Sequence, residues 1–220
     1  IEVLLFLAAS SSVLTTFGIM EILIGEAWKF FQKVSIVEFL TATEWTPLFN
    51  EPKYGILPLI SGTLVTTGVA LILAIPLGTI IAIYLSEFAS DRVREIVKPI
   101  LEILAGIPTV VYGYFALLFV TPLLKESILA VHKLFSPGLE EFDYFILPGF
   151  NMLSAGLVMG IAIVPFISSI SEDAMRAVPL QMREGSYAMG ATKLQTALNV
   201  VLPSAISGIM AAYILGISRA

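Results

Sequence analysis

The residues whose types and spacing suggest chemistry lie in one polar stretch, 171–203, reading SEDAMRAVPLQMREGSYAMGATKLQTALNVVLP between two apolar runs. It sets Arg176, Arg183 and Lys193 against Glu172, Asp173 and Glu184. No nucleophile–base pair or metal-ligand spacing appears among them. Such a segment between apolar runs is a recognition surface, offered to something in the water phase. A second candidate stands alone: Arg219, about 16 residues beyond Pro203, roughly 24 Å along a helix. An arginine at that depth of an apolar run needs a cavity or an acid partner. Its planar fork of donors suits phosphate-like oxygens, often two at once. A third is the run 106–113, GIPTVVYG, preceded by Glu102, where Thr109 and Tyr112 offer hydroxyls.

The elements that must position these groups are membrane spans. The chain of 220 residues is 57% hydrophobic and only 13% charged, about half the charge of a soluble domain. That composition indicates an all-α polytopic membrane protein. The net charge of −5 leaves no electrostatic footprint for nucleic acid. No cysteine is present, so disulfides and thiol chemistry are excluded, and one histidine, His132, cannot make a metal cluster by itself. There is no Gly-x4-Gly-Lys-Ser/Thr loop to hold ATP, and no Ser–His pair or intramembrane aspartate pair for a protease.

Five spans are expected within a single transmembrane domain over residues 1–220: about 3–24, 56–86, 99–124, 148–170 and 196–220. Glu21 sits near the end of the first and snorkels or faces water. The 25–55 stretch mixes Trp28, Phe30, Phe31, Phe39 and Trp45 with charges, as an interfacial belt and external loop do. Residues 56–86 carry no charge and would run roughly 46 Å as helix against a bilayer core of about 30 Å, so a tilt or a bend at Pro76 is expected. Gly62, Gly68 and Gly78 permit close approach there. Gly156–Gly160 and the series Gly208, Ala212, Gly216 form further small-residue stripes. Pro165 is expected to kink the fourth span. Pro108 is expected to delete one bond inside the third, with Thr109 or a neighbouring helix repairing the loss.

Arg92, Arg94, Arg176 and Arg183 all fall in the loops 87–98 and 172–193, which places those loops inside and the 25–55 and 125–147 loops outside. The fifth span then runs outward, and a sixth, C-terminal span is expected beyond residue 220. Glu102 has two readings, an interfacial salt bridge with Lys98 or a carboxylate in a transport path. Tyr112 either packs between helices with its hydroxyl satisfied locally or lines such a path. Arg219 either belongs to the path or reaches the outer interface.

Within the polar stretch, Ser171 is expected to cap a short helix over 174–178 that Pro179 ends. A second helix is expected over 184–199, with Tyr187, Ala191, Leu194 and Leu198 on one face. This describes either a surface helix held rigidly to a span or an amphipathic helix lying in the headgroups.

The spacing Glu184-Gly185-Ser186, three residues, Gly190, nine residues, Val200, one residue, Leu202-Pro203 resembles the coupling loop of permease subunits of binding-protein-dependent ABC importers. The family pattern is Glu-Ala-Ala, three residues, Gly, nine residues, Ile, one residue, Leu-Pro. Gly185, Ser186 and Val200 depart from it by small changes. Five further runs resemble the phosphate-importer branch of that family, the PstC permeases: YLSEF (84–88), PILEILAGIPTVVYG (99–113), LSAGLVMG (153–160), SEDAMRAVP (171–179) and GISRA (216–220). The sister PstA permeases are the near alternative.

The resemblance implies a type I ABC importer transmembrane domain, five spans present of six. It implies a coupling loop over 171–203 that docks on an ATPase, with Glu184 at the contact, Gly190 at a tight helix junction and Pro203 where the chain returns to lipid. It supports Arg219 as a residue of the substrate path. The implied partners are a second, PstA-like permease, an ATPase dimer that binds ATP and Mg, and an extracytoplasmic phosphate-binding protein, in the inner membrane. The chain itself would be neither an enzyme nor a cofactor carrier. The other readings are a permease for molybdate or sulfate, an ion-coupled secondary carrier, for which no internal repeat is visible, and a channel or membrane scaffold.

Overall fold

The computed structural model describes residues 2–135 and 147–220. Eleven helices are found among them: α1 (Glu2–Phe31), α2 (Ile36–Thr41), α3 (Leu57–Ile83), α4 (Asp91–Ala105), α5 (Thr109–Phe115), α6 (Thr121–Phe135), α7 (Met152–Arg176), α8 (Leu180–Ala188), α9 (Lys193–Thr196), α10 (Leu202–Ser204) and α11 (Ile206–Arg219). Three π-helical turns follow α3, α5 and α9, at Tyr84–Phe88, Ala116–Val120 and Ala197–Val201. Residues 136–146 of the expected outer loop, with Glu140, Glu141 and Asp143, lie outside the described residues.

Among the described residues, four helical stretches are long and apolar enough to cross a membrane: Glu2–Phe31, Leu57–Phe88, Thr109–Val131 and Met152–Arg176. A fifth crossing is available if the pair Lys193–Ser204 and Ile206–Arg219, bent by 73°, acts as one span. The chain divides into two compact units, 1–62 and 63–220.

In the first unit, α1 has no buried residue, as expected of a helix solvated by lipid rather than protein. It extends well past residue 24 and ends on a small aromatic cluster. Phe30 meets Phe31, Phe39 and Tyr54 edge-on at 5.1–5.7 Å. A bridge pairs Trp45 with Tyr54, and Lys53 donates to Glu44 across it at 2.8 Å.

The second unit is organised on α7, whose buried residues run from Ser154 to Met175. Asn151 caps its start, Oδ1 accepting from the Ser154 amide at 2.8 Å. Glycines then let neighbours approach. A Cβ at Gly156 would stand 2.7 Å from Val69, at Gly160 2.8 Å from the Ala70 carbonyl, at Gly208 2.5 Å from Ala174, and at Gly78 2.8 Å from Ile167. The stripes 156–160 and 208–216 are therefore real close-packing faces, and Ala212 is fully buried. Gly68 has open space around it, so it does not serve the packing role expected of it. Within α3, Thr79 donates to the Ile75 carbonyl and shares a 2.6 Å hydrogen bond with Tyr213 of α11.

Three sequence expectations are corrected. The third span does not run 99–124. Pro99 lies inside α4, and the chain breaks at 106–108 before α5 starts at Thr109. Pro108 excludes helical geometry at Ile107 and has no N–H to continue the ladder, so it opens a helix instead of interrupting one. The short helix over 174–178 does not exist, because α7 runs unbroken to Arg176 and buries Ser171 completely. The helix expected over 184–199 is split at Gly190, where φ is +85°.

Candidate functional site: the elbow between α7 and α11

Residues 177–205 make a tight excursion between two helices of the bundle. α7 ends at Arg176, and Pro179 opens α8. α8 closes on a Schellman turn: the Ala191 amide donates to the Ser186 carbonyl and the Gly190 amide to that of Tyr187. The left-handed residue this motif needs is Gly190. A capping box follows at once. Thr192 Oγ1 accepts from the Gln195 amide, and Gln195 Oε1 from the Thr192 amide at 2.8 Å. This Thr-x-x-Gln signal is readable in the sequence and was missed there. Ser186 then bonds Thr196 hydroxyl to hydroxyl at 2.9 Å, joining α8 to α9. Of the small residues at the expected contact, Ser186 thus has a polar role, while Gly185 faces open space.

The outer surface of the elbow is unpaired. Glu184 is exposed, with no salt bridge among the described residues. Around it Leu180, Met182, Tyr187, Met189, Leu194 and Leu198 are exposed apolar groups. The inner surface is packed: Met175, Val178, Val201, Ala205 and Ile209 form one core cluster with Ala82 of α3, and Leu202 lies against it. Pro203 sits in α10, two residues before the 73° bend at Ala205.

Charges fasten the elbow's root. Glu172 is 1% exposed and accepts from Lys98 Nζ at 2.8 Å. Arg94 and Arg176 both approach its other oxygen at 3.8 Å. Lys98 also pairs with Asp173. Burial works against the Lys98 charge, but hydrogen bonds to Asp173 and Glu172 outweigh it and hold the ammonium above its ordinary value. Lys98 is therefore committed to α7, and the Lys98–Glu102 bridge that was one of the two readings of Glu102 is replaced by this one. Glu102 stands exposed on α4.

The other candidate residues converge on the end of α4. The chain breaks at Pro108, so the last carbonyls of α4 are met by turn amides, Gly106 to Glu102 and Ile103, and Ile107 to Leu104, and by two side chains. Tyr112 donates its hydroxyl to the Leu104 carbonyl at 2.9 Å, the local satisfaction that was one of its two readings. Arg219 donates from Nη1 to the Ala105 carbonyl at 2.9 Å. Its guanidinium lies 4.2 Å over the Phe166 ring, and no carboxylate among the described residues pairs with it. Thr109, Tyr112 and Gly113 border a cavity of about 670 Å³ that Asn151, Ser154 and Met159 close from α7 and its cap.

Within the second unit, membrane-crossing stretches and a bent further one pack on the small residues of α7 and carry a polar elbow, which defines an all-α polytopic membrane domain. Residues 74–220 match the family described as the binding-protein-dependent transport system inner membrane component, and the chain belongs to that family. It is thus a multi-pass inner-membrane component of that family. Among curated proteins it is similar to a probable ABC transporter permease protein, YqgH, of Bacillus subtilis, at 38% identity over 187 residues, 85% of this chain and 55% of that protein. It is also similar to phosphate transport system permease proteins PstC, from Haemophilus influenzae at 37% over 185 residues (83% and 58%) and from Xylella fastidiosa at 38% over 187 residues (84% and 57%). The chain spans somewhat over half the length of these relatives. A chain of the MetNI methionine ABC transporter in inward-facing conformations aligns with TM-score 0.47 at 20% identity, covering 75% of this chain and 69% of that one.

Proposed function

We propose that the chain is a permease subunit of an ATP-driven importer for inorganic phosphate. It forms half of the translocation path together with a PstA-like permease. An ATPase dimer in the water phase binds ATP and Mg, and an extracytoplasmic phosphate-binding protein delivers the substrate. The observation that carries this reading is the elbow, rigid at its root and bare at its tip, with Glu184 exposed among apolar groups. Nucleotide-driven closure of the ATPases moves two such elbows, and the spans attached to them open the path first outward, then inward. Supporting the substrate are the PstC-named relatives and the Arg219 guanidinium at the break after α4, held by the Ala105 carbonyl and paired with no carboxylate among the described residues. The chain needs no catalytic residue of its own in this scheme.

The test of substrate is ATP hydrolysis by the reconstituted complex with its binding protein, comparing phosphate, molybdate and sulfate. Stimulation by phosphate alone is expected, and stimulation by molybdate or sulfate in its place would reassign the importer. For the docking role, Glu184→Arg reverses the one acidic group on the exposed tip. ATPase recovered with the permease in detergent should fall by about tenfold, as for a like-charge contact at an interface. Undiminished recovery together with normal uptake would remove Glu184 from the contact.

A further inference from the structure

The resemblance places the elbow's function at its tip, yet the densest hydrogen bonding lies at its back. Arg183, on α8 beside Glu184, points inward and is 13% exposed. It donates from Nε and Nη2 to Glu87 Oε1 at 3.3 and 3.1 Å. It also donates from Nη1 to the Val178 carbonyl at 2.6 Å and from Nη2 to the Met175 carbonyl at 2.8 Å. Glu87 is 4% exposed, lies 96 residues away, and belongs to the π-helical turn that ends α3. Its carboxylate is oriented by Ser86, whose hydroxyl donates to the same oxygen at 2.9 Å. One planar group therefore joins α8 to the last turn of α7 and to the end of α3.

The surrounding contacts are apolar: Ala82, Ile83, Met175 and Val178 in one cluster. Apolar packing is non-directional and lets elements slide. Charge-assisted hydrogen bonds are directional, and a buried group that loses its partner is left unsatisfied. We propose that Arg183 is a positioning residue of the transport cycle, the link through which displacement of α8 is passed to α3 and α7 together. This rests on the importer reading. The tip receives the ATPase's motion, and Arg183 converts it into movement of two spans instead of flexing of one loop.

The experiment measures phosphate uptake and ATP hydrolysis side by side in proteoliposomes holding the full complex. Arg183→Lys keeps the charge but not the fork, since one ammonium cannot hold the carboxylate and both carbonyls in a single plane. Glu87→Gln keeps Arg183 on its carbonyls and weakens only the tie to α3. Both variants should assemble with the ATPase and hydrolyse ATP near the parental rate. Phosphate moved per ATP should fall, by about tenfold for Arg183→Lys and less for Glu87→Gln, a change of the size that couples two sites. An unchanged ratio overturns the proposal, whether both rates hold or fall together. Loss of assembly in both variants also overturns it, because the cluster would then be a folding element. Failure of the parental complex to take up phosphate with ATP sinks the importer reading instead, and the two failures are read on different samples.

Discussion

Arg219→Ala is expected to abolish phosphate uptake while the assembled complex still purifies. The guanidinium has one protein hydrogen bond, to the Ala105 carbonyl, and one ring beneath it. Its remaining donors have no partner among the described residues. Removing it forfeits roughly 1–2 kcal/mol of folding stability, because the hydrogen bond to the Ala105 carbonyl is exposed to solvent and the ring contact adds little more. A passing oxyanion loses a charge-assisted contact worth about 2–3 kcal/mol, which is roughly 30- to 160-fold in rate. The two magnitudes separate the outcomes: a small shift in thermal unfolding against a near-complete loss of transport. Arg219→Lys should recover only part of the rate, because an ammonium does not reproduce the fork. Normal radiolabelled phosphate uptake by the alanine variant would remove Arg219 from the path.

How much of this was legible in the sequence depends on the range of the interaction. Local signals were readable in the small-residue stripes at 156–160 and 208–216, whereas periodicity ran a helix straight through Gly190 and only the family resemblance made it a junction. Each stripe is set by the absence of a side chain. The misreadings share a cause. Ser171 looked like a helix cap because Ser before two acids is a local cap pattern, whereas Glu172 is claimed by Lys98, 74 residues earlier. Residues 99–124 looked like one span because hydropathy averages over the break at Pro108. It cannot show that α4 turns Arg94, Lys98 and the buried Leu101 towards α7. Nothing in either segment announces the pairing of Arg183 with Glu87. Of the residues proposed for the path, Tyr112 and Arg219 meet the end of α4 and Thr109 and Tyr112 border the cavity, but Glu102 stands exposed, an order that no local pattern encodes.

The largest stability effect is expected where α4 meets α7, and it is asymmetric. Lys98→Met leaves the Glu172 carboxylate 1% exposed, its direct donor gone and only Arg94 and Arg176 nearby at 3.8 Å. A buried charge stripped of its partner costs about 3 kcal/mol. Glu172→Gln removes the same pair from the other end, but the cations it abandons are partly open to water, Lys98 at 24% and Arg176 at 44%. They rehydrate, and Lys98 keeps Asp173, so about 1 kcal/mol is expected. Thermal unfolding in detergent should rank Lys98→Met well below Glu172→Gln, and equal losses would mean that the latch is not governed by burial of the carboxylate. The pH dependence has a definite sign. The Lys98 pKa is raised above its ordinary 10.5, so its contribution is fully present below that value and lost only as pH rises through the higher folded one. Stability of the α4–α7 contact should therefore be flat from about pH 6 to pH 9, and a Lys98-dependent loss inside that window would contradict the ion-paired geometry. Because the same cluster fastens the root of the elbow, Lys98→Met should also loosen the mechanical body that Arg183 closes on its other side, lowering transport per ATP even in the fraction that remains folded.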